Sequence, residues 1–160
     1  MVLNENSYQI QGISVEQLAK DFETPLYVYD ADKIKEQYHK LKQAFDGLNL
    51  RLKYACKALT NVNILQVLQK EGAGLDAVSI NEVKLALQAG YSVSDIMFTP
   101  NCGAFSEIEE AVEIGVQINI DNIPFLELFG EKYGDSVPVC VRINPHIQAG
   151  GNRNLSLIHI

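Results

Sequence analysis

A strand-like apolar run recurs at almost constant spacing through most of this 160-residue chain. The runs are centred near Leu52, Leu75, Met97, Ile118 and Cys140, so the steps between them are 23, 22, 21 and 22 residues. Each gap has room for one amphipathic helix and its connecting turns. Strands that alternate regularly with helices predict a parallel sheet with right-handed crossover connections.

The gaps between the strands carry the start and stop signals of helices. Ser79 with Glu82 forms one predicted capping box, and Ser106 with Glu109 forms another. Further polar caps and terminal glycines flank the predicted helices: Asn61, Gly90, Gly115 and Asn122. The local signals and the periodicity therefore predict the same strand–helix units.

Two parallel architectures fit these units, an open doubly wound sheet and a (β/α)8 TIM barrel. The first strand is followed by Lys57-Ala58-Leu59-Thr60-Asn61, which lacks the glycines of a dinucleotide-binding turn. The sequence Gly72-Ala73-Gly74 precedes a strand instead of following one. We therefore predict a TIM barrel. Eight units need roughly 250 residues, and this chain holds about five, so we expect the N-terminal part of a barrel in a truncated chain.

The residues before the repeat predict two helices and one strand. A capping box at Ser14 opens a helix that runs to about Phe22. The aromatic and branched residues at 26–29 predict a strand. Asp30 then caps a further amphipathic helix, which we expect to stop at Gly47.

These patterns divide the chain into three parts. Residues 1–30 are expected to form an N-terminal extension with its own strand, and residues 31–151 a partial TIM-barrel domain. The last six residues carry neither a charged side chain nor a helix cap, so we interpret residues 152–160 as a truncated or aberrant tail.

Alternation along the strands predicts which side chains face the barrel interior. In the first strand Leu52, Tyr54 and Cys56 suit contact with the outer helices, so Lys57 points into the barrel mouth. The same test gives inward polar residues near the carboxyl ends of the other strands: Asp76, Asn101, Asn119, Asp121, Arg142 and Asn144. Active sites of TIM barrels lie at this end.

Each of these residues also has a structural interpretation. The asparagines and Asp121 have the side chains of turn and cap residues. Asp76 could form an ion pair with Lys57 or Arg142. An inward arginine needs an anion such as a carboxylate or a phosphate. Lys57 is either an ion-pair partner or an amine that forms a Schiff base.

Composition narrows the range of partners. The net charge of −7 and the pI near 4.9 argue against a nucleic-acid partner. No apolar run approaches the ~20 residues of a membrane span, and the N-terminal residues do not resemble a signal peptide, so we expect a cytoplasmic protein. The three cysteines are far apart and form no C-x-x-C pair, so we predict neither a disulfide framework nor a metal site.

Four parts of the sequence carry a resemblance to a known enzyme family. They are Thr24–Asp30, Tyr54–Ala58, Gly74–Ser79 with Glu82, and Val141–Pro145 followed by Ala149–Gly151. Their order and spacing resemble those of the group IV ornithine/diaminopimelate/arginine decarboxylases, which have an alanine-racemase-like barrel.

The resemblance implies a cofactor and a reaction. Lys57 is similar to the lysine that holds pyridoxal 5′-phosphate as a Schiff base, and Asp76 and Arg142 match positions near that cofactor. Asn101 and Asn144, which alternation places on the inward face, are expected to line the same site. The implied reaction is decarboxylation of meso-2,6-diaminopimelate to L-lysine, the last step of lysine biosynthesis. The family also suggests a homodimer and a small amino-acid substrate.

The sequence departs from the family's pattern after residue 151. The later H-x-G-S and E-P-G-R motifs, the glycine-rich phosphate loops and the C-terminal β-domain are absent. We therefore expect these 160 residues alone to be inactive. Three alternatives stay open: another basic amino-acid decarboxylase of the group, an alanine-racemase-like pyridoxal phosphate protein, and a non-catalytic half-barrel that only binds a partner.

Overall fold

The computed structural model describes residues 2–4, 7–101 and 103–143. The chain divides into two compact units, Met1–Leu48 and Asn49–Ile160. The domain boundary that we predicted between residues 30 and 31 stays a prediction, and the predicted tail, 152–160, lies outside the described residues. No described helix is both long enough and apolar enough to span a membrane.

The first unit begins with a three-stranded antiparallel sheet that the sequence pattern does not predict. Its strands follow one another in space and in sequence: β1 (Val2–Asn4), β2 (Ser7–Ile10) and β3 (Ile13–Ser14). Gln11 and Gly12 connect β2 to β3 with φ angles of 51° and 79°. Two positive φ angles are what a type I′ hairpin turn requires, and its usual signature is Asn-Gly or Asp-Gly. The hairpin was not predicted because Gln11 occupies the first turn position, where Asn or Asp is usual.

Helix α1 (Val15–Phe22) begins at its predicted cap. The side-chain oxygen of Ser14 accepts a hydrogen bond from the backbone N–H of Gln17 at 3.0 Å. The second half of the predicted capping box does not form, because the Gln17 side chain donates to Asp21 at 2.7 Å instead. The cap of this helix is therefore one-sided.

Helix α2 (Ala31–Ala44) begins at Asp30, also as predicted. The Asp30 carboxylate accepts from the backbone N–H of Lys33 at 3.0 Å, and the side-chain amide of Gln11 donates to both of its oxygens. These two donors, the Lys33 N–H first, lower the pKa of Asp30 from its ordinary value. The helix ends three residues before Gly47, which follows it with positive φ.

The strand predicted at residues 26–29 is wrong. None of the strands in the described part of the chain pairs with this segment. Its side chains are also well exposed, from 39% for Leu26 to 87% for Tyr27. Aromatic and branched residues favour a strand because they pack against neighbouring strands, and here no neighbouring strand is available.

The second unit is a parallel sheet in which a helix follows each of the first four strands. Its elements in chain order are β4 (Lys53–Ala55), α3 (Val62–Lys70), β5 (Gly74–Ala77), α4 (Ile80–Gln88), β6 (Ile96–Phe98), α5 (Phe105–Ile114), β7 (Gln117–Ile120), α6 (Ile123–Tyr133) and β8 (Cys140–Val141). The strands neighbour one another in this same order, and all four pairs are parallel. A doubly wound sheet would reverse its order at a switch point. The predicted α/β fold, with five of the eight strands of a barrel, is confirmed.

Apolar side chains on one face of this sheet form the core. The strand residues of that face are at most 1% exposed: Leu75, Ala77, Ile96, Phe98, Ile118 and Ile120. Helix residues belong to the same cluster, among them Leu65, Val83, Ile108 and Phe129. The residues between them in sequence, such as Asp76 and Asn119, are only partly buried. The predicted alternation is therefore confirmed for β5, β6 and β7, with Asp76 and Asn119 on the face opposite the helices. It does not extend to Val141 and Ile143, which are exposed.

Three helices of this unit begin at their predicted caps. Ser79 accepts from the backbone N–H of Glu82 at 3.3 Å, at the start of α4. The Glu82 carboxylate reaches back to the N–H of Val78, one residue earlier than a standard capping box, at 2.7 Å. Asn61 and Asn122 cap α3 and α6 through their side-chain oxygens.

The start predicted for α5 is wrong. This helix begins at Phe105, and Ala104 occupies the N-cap without a side-chain hydrogen bond, so Ser106 already lies inside the first turn. Glu107 in that turn places a negative charge near the positive end of the helix dipole, which supports the helix start without a polar cap. The predicted end at Gly115 is confirmed.

Candidate functional site

The carboxyl ends of the five parallel strands meet along one edge of the sheet. Each strand contributes one polar side chain at or just beyond that edge, and the five residues are Lys57, Asp76, Thr99, Asn119 and Arg142. Alternation along β5, β6 and β7 places Asp76, Thr99 and Asn119 on the face opposite the helices. A row of this kind, drawn from five neighbouring strands, is how a barrel of this type builds a binding site.

Strand β4 is shorter than the sequence predicts, because the predicted alternation continues through Cys56 to Lys57. The strand stops at Ala55, and Cys56–Ala58 form one turn of 3-10 helix. The backbone N–H of Leu59 closes this turn on the carbonyl of Cys56 at 3.1 Å, and the Tyr54 hydroxyl donates to the Leu59 carbonyl. Lys57 lies within this tight turn and is exposed.

Cys56 anchors this turn to the hydrophobic core. Its side chain is completely buried in the core. Burial raises the pKa of the Cys56 thiol to about 11, and the negative charges of Glu82 and Asp76 act in the same direction. The thiol therefore stays protonated near neutral pH and packs as a small apolar group. The nucleophilic candidate of this segment is Lys57.

Three of the five side chains form a hydrogen-bonded row. Thr99 donates through its hydroxyl to Oδ1 of Asp76 at 2.7 Å. The side-chain amide of Asn119 donates to the same hydroxyl at 3.5 Å. Thr99 is only 6% exposed. The row therefore joins β5, β6 and β7 across the face that was predicted to carry the site.

Thr99 is a residue of this row that was not predicted from the sequence. Alternation from Ile96 and Phe98, which face the helices, places Met97 and Thr99 on the opposite face. The signal was present, but Thr99 stands one residue beyond the end of β6 and has no charge. Asn101 was predicted in its place, and the structure puts Asn101 on the surface.

Asn119 and Asp121 differ in their surroundings. Asn119 is partly buried and joins the row, as its predicted inward position requires. Asp121 is exposed, and its carboxylate accepts from the side chain of the adjacent Asn122 at 3.2 Å. Asp121 therefore fits the structural interpretation, in which it is a residue of the turn before α6.

Arg142 extends the row beyond β8. Its backbone N–H donates to the carbonyl of Ile120 at 2.8 Å, which continues the pairing with β7 by one residue. Its side chain is partly buried, whereas Val141 and Ile143 on either side are 55% and 76% exposed. Asn144, predicted to line the same site, lies outside the described residues.

The lysine within β4 lies at the opposite end of the sheet. The Lys53 ammonium donates to the backbone carbonyl of Asp95 at 2.9 Å, before β6 begins. Burial is the main cause that lowers the pKa of Lys53, and the nearby charge of Asp95 opposes it. Lys53 and Lys57 therefore lie at opposite ends of β4, and only Lys57 lies at the carboxyl edge.

The sequence of this chain is similar to those of known decarboxylases. Residues 31–157 match the family described as pyridoxal-dependent decarboxylase, pyridoxal binding domain. The chain belongs to this family. It is 38% identical over 143 residues to a diaminopimelate decarboxylase of Methanothermobacter thermautotrophicus, and the match covers 88% of this chain and 33% of that protein.

Solved structures of this family share the fold. Diaminopimelate decarboxylase from M. jannaschii in co-complex with L-lysine is 30% identical with a TM-score of 0.82, over 92% of this chain and 36% of that one. Lysine/ornithine decarboxylase from Vibrio vulnificus complexed with putrescine is 31% identical with a TM-score of 0.73, over 81% and 35%. The chain thus spans about a third of the length of the relatives that it matches.

The residues of the sheet edge fit the cofactor of the family, pyridoxal phosphate. That group carries an aldehyde, which reacts with an amine, and anionic oxygens, which bind cations. Lys57 supplies the amine and Arg142 a guanidinium, at the same edge of the sheet. Asp76 lies beside Ala55 in the parallel register, on the strand next to Lys57.

Proposed function

We propose that this chain supplies the cofactor-binding part of a decarboxylase that converts meso-2,6-diaminopimelate to L-lysine and CO2. The observation that carries the proposal is the position of Lys57, directly after β4 at the carboxyl edge of a sheet that belongs to a pyridoxal-binding family. The similarity to diaminopimelate decarboxylases supports this substrate. The product would complete lysine biosynthesis.

In this proposal four residues of the edge have separate tasks. Pyridoxal phosphate, when bound, would supply an electron-withdrawing ring that stabilises negative charge at the substrate's α-carbon. Lys57 would hold the cofactor through its amine, which must be neutral to react with the cofactor's aldehyde. Asp76 presents a carboxylate that Thr99 holds in place. Arg142 offers its guanidinium to an anionic group of the cofactor or the substrate.

Similarity to a lysine/ornithine decarboxylase supports a second class of substrate. The Vibrio vulnificus protein is described as a lysine/ornithine decarboxylase, and this chain is 31% identical to it. Another basic amino acid is therefore the competing substrate in the same reaction. The barrel is also compatible with an alanine-racemase-like pyridoxal phosphate protein and with a half-barrel that only binds a partner.

We further propose that the active protein is a cytoplasmic homodimer, as the family resemblance implies. We expect the 160 residues alone to show no turnover, because the relatives that carry the activity are about three times as long. Sedimentation at several protein concentrations measures the assembly directly. A protein that is active and strictly monomeric would contradict the proposed dimer.

The proposed activity is tested on the natural protein that contains this sequence. L-lysine release from meso-2,6-diaminopimelate is measured for the natural protein, for Lys57→Ala and for the control Lys84→Ala. Lys84 is exposed on α4, where it pairs with Glu110 at 2.7 Å, away from the strand ends. We expect Lys57→Ala to abolish release and Lys84→Ala to retain it. Undiminished release by Lys57→Ala would refute the proposal, and preference for ornithine or lysine would select the competing substrate.

A further inference from the structure

Thr99 occupies the centre of the sheet edge. It is the buried polar side chain among the described residues, and its backbone N–H donates to the carbonyl of Ala77 at 2.7 Å. This bond continues the pairing of β5 and β6 by one residue. The backbone bond fixes where the hydroxyl lies, between the carboxylate of Asp76 and the amide of Asn119.

The hydrogen bonds of this hydroxyl have a definite direction. An ionised carboxylate only accepts hydrogen bonds, so the Thr99 hydrogen must point towards Asp76. The Thr99 oxygen then accepts from the amide of Asn119. The shorter bond, 2.7 Å against 3.5 Å, is the one to the charged group, where hydrogen bonds are stronger.

We propose that Thr99 is a positioning residue of the pyridoxal phosphate site and acts through Asp76. This inference rests on the function proposed above. The Thr99 hydroxyl restricts rotation of the Asp76 carboxylate and holds its charge on the strand adjacent to Lys57. Without the hydroxyl, the carboxylate would sample several orientations, and binding of the cofactor would have to select one of them.

The combined effect of substituting Thr99 and Asp76 distinguishes a positioning role of Thr99 from simple packing. If Thr99 acts through Asp76, removing its hydroxyl changes cofactor binding only while the carboxylate is present. If Thr99 only fills the core, its loss adds to that of Asp76, because independent effects are additive in free energy. A double-mutant cycle of Thr99→Val and Asp76→Ala therefore distinguishes the two roles.

The experiment titrates pyridoxal phosphate into the 160-residue chain and its variants, with the visible absorbance of the bound cofactor as the signal. We expect Thr99→Val to weaken binding about tenfold, the size of a lost hydrogen bond to a charged group. Thr99→Ser keeps a hydroxyl and is expected to restore affinity to within about twofold. In the Asp76→Ala background, Thr99→Val should have no further effect.

Two results would overturn the inference while leaving the proposed function intact. One is unchanged affinity in Thr99→Val, and the other is a tenfold loss that persists in the Asp76→Ala background. If Thr99→Val does not fold, as judged by circular dichroism, the same cycle is run with Asn119→Ala. That variant leaves the hydroxyl in place and should cost about twofold, again only when Asp76 is present.

Failure of the proposed function would give a different result. Borohydride reduction followed by peptide mapping shows whether the cofactor in the unaltered chain is attached to Lys57 in preference to the exposed Lys84. Attachment without that preference would overturn the proposed cofactor site, and the role of Thr99 with it. Preference for Lys57 together with additive losses would overturn only the role of Thr99.

Discussion

Two lysines four residues apart lie at opposite ends of one strand. Lys53 begins β4, and Lys57 follows its end. The Lys53 ammonium is bound to the carbonyl of Asp95 at the amino end, where its amine has a structural task. Lys57 stands on a 3-10 turn at the carboxyl end, where the site of such a barrel is built. The residue type alone would not separate them.

The cysteines provide a test of burial at single side chains. Cys56 is completely buried with its pKa raised to about 11, whereas Cys140 is exposed. In a Cys102→Ser background at about pH 8, we expect iodoacetamide to alkylate Cys140 at least about tenfold faster, because the thiolate is the reactive form. Mass spectrometry of the two peptides measures the rates, and full denaturation should equalise them. Equal rates in the folded chain would contradict the burial of Cys56.

The close packing of β4 and β5 against the residues just before β6 depends on Gly74. A Cβ added at Gly74 would lie 2.8 Å from the carbonyl oxygen of Asp95 and 3.0 Å from Cγ of Lys53. The carbonyl belongs to the backbone and accepts the Lys53 hydrogen bond, so neither neighbour can move freely. The close approach of these strands at the amino end therefore requires glycine.

We expect Gly74→Ala to lower the free energy of unfolding by about 1–3 kcal/mol, the usual cost of overpacking. Gly130→Ala is the matched control, since Gly130 lies in α6 and an added Cβ there meets nothing within 4 Å. The control should stabilise the helix by about 0.5–1 kcal/mol. Denaturant unfolding measures both. A Gly74→Ala protein as stable as the control would show that the strands are not this close.

The start of α2 gives a pH-dependent prediction. The folded-state pKa of Asp30 lies below its ordinary value of 3.8, so the stabilisation by its cap is present above pH 3.8 and is lost as the pH falls further, through the lower folded-state pKa. Asn caps as well as Asp and does not titrate. We expect the melting temperature of the natural chain to fall relative to that of Asp30→Asn as the pH is lowered from about 5 to about 2. A difference that stays constant over this range would contradict the cap.

Helices were more predictable than strands because their signals are local. Asp30, Asn61, Ser79 and Asn122 all cap the helices that the sequence assigned to them. A strand depends on a partner that the segment itself does not encode. Residues 26–29 therefore have strand composition without strand pairing, and the N-terminal hairpin forms around an unusual Gln-Gly turn.

The whole sheet was predictable from the spacing of its strands. A period near 22 residues and the absence of a glycine-rich turn after β4 predicted sequential parallel strands, and the observed order confirms them. Alternation also predicted that Asp76 and Asn119 share a face. The bond between Thr99 and Asp76 could not be predicted, because it depends on the stagger of β5 against β6 and on side-chain rotamers.

The polar residues that we propose to bind the cofactor lie at the carboxyl ends of the five parallel strands. The hydrogen bond of Lys53 to the Asp95 carbonyl lies at the amino ends. The direct test is to treat the chain with pyridoxal phosphate, reduce it with borohydride, and map the modified lysine by mass spectrometry. Ten lysines compete in this chain, and Lys53 at the other end of β4 is the internal control. We expect modification to concentrate on Lys57 and to disappear from that peptide in Lys57→Arg. Modification spread evenly over the exposed lysines, with Lys57 no more reactive than the rest, would contradict a cofactor site at this edge.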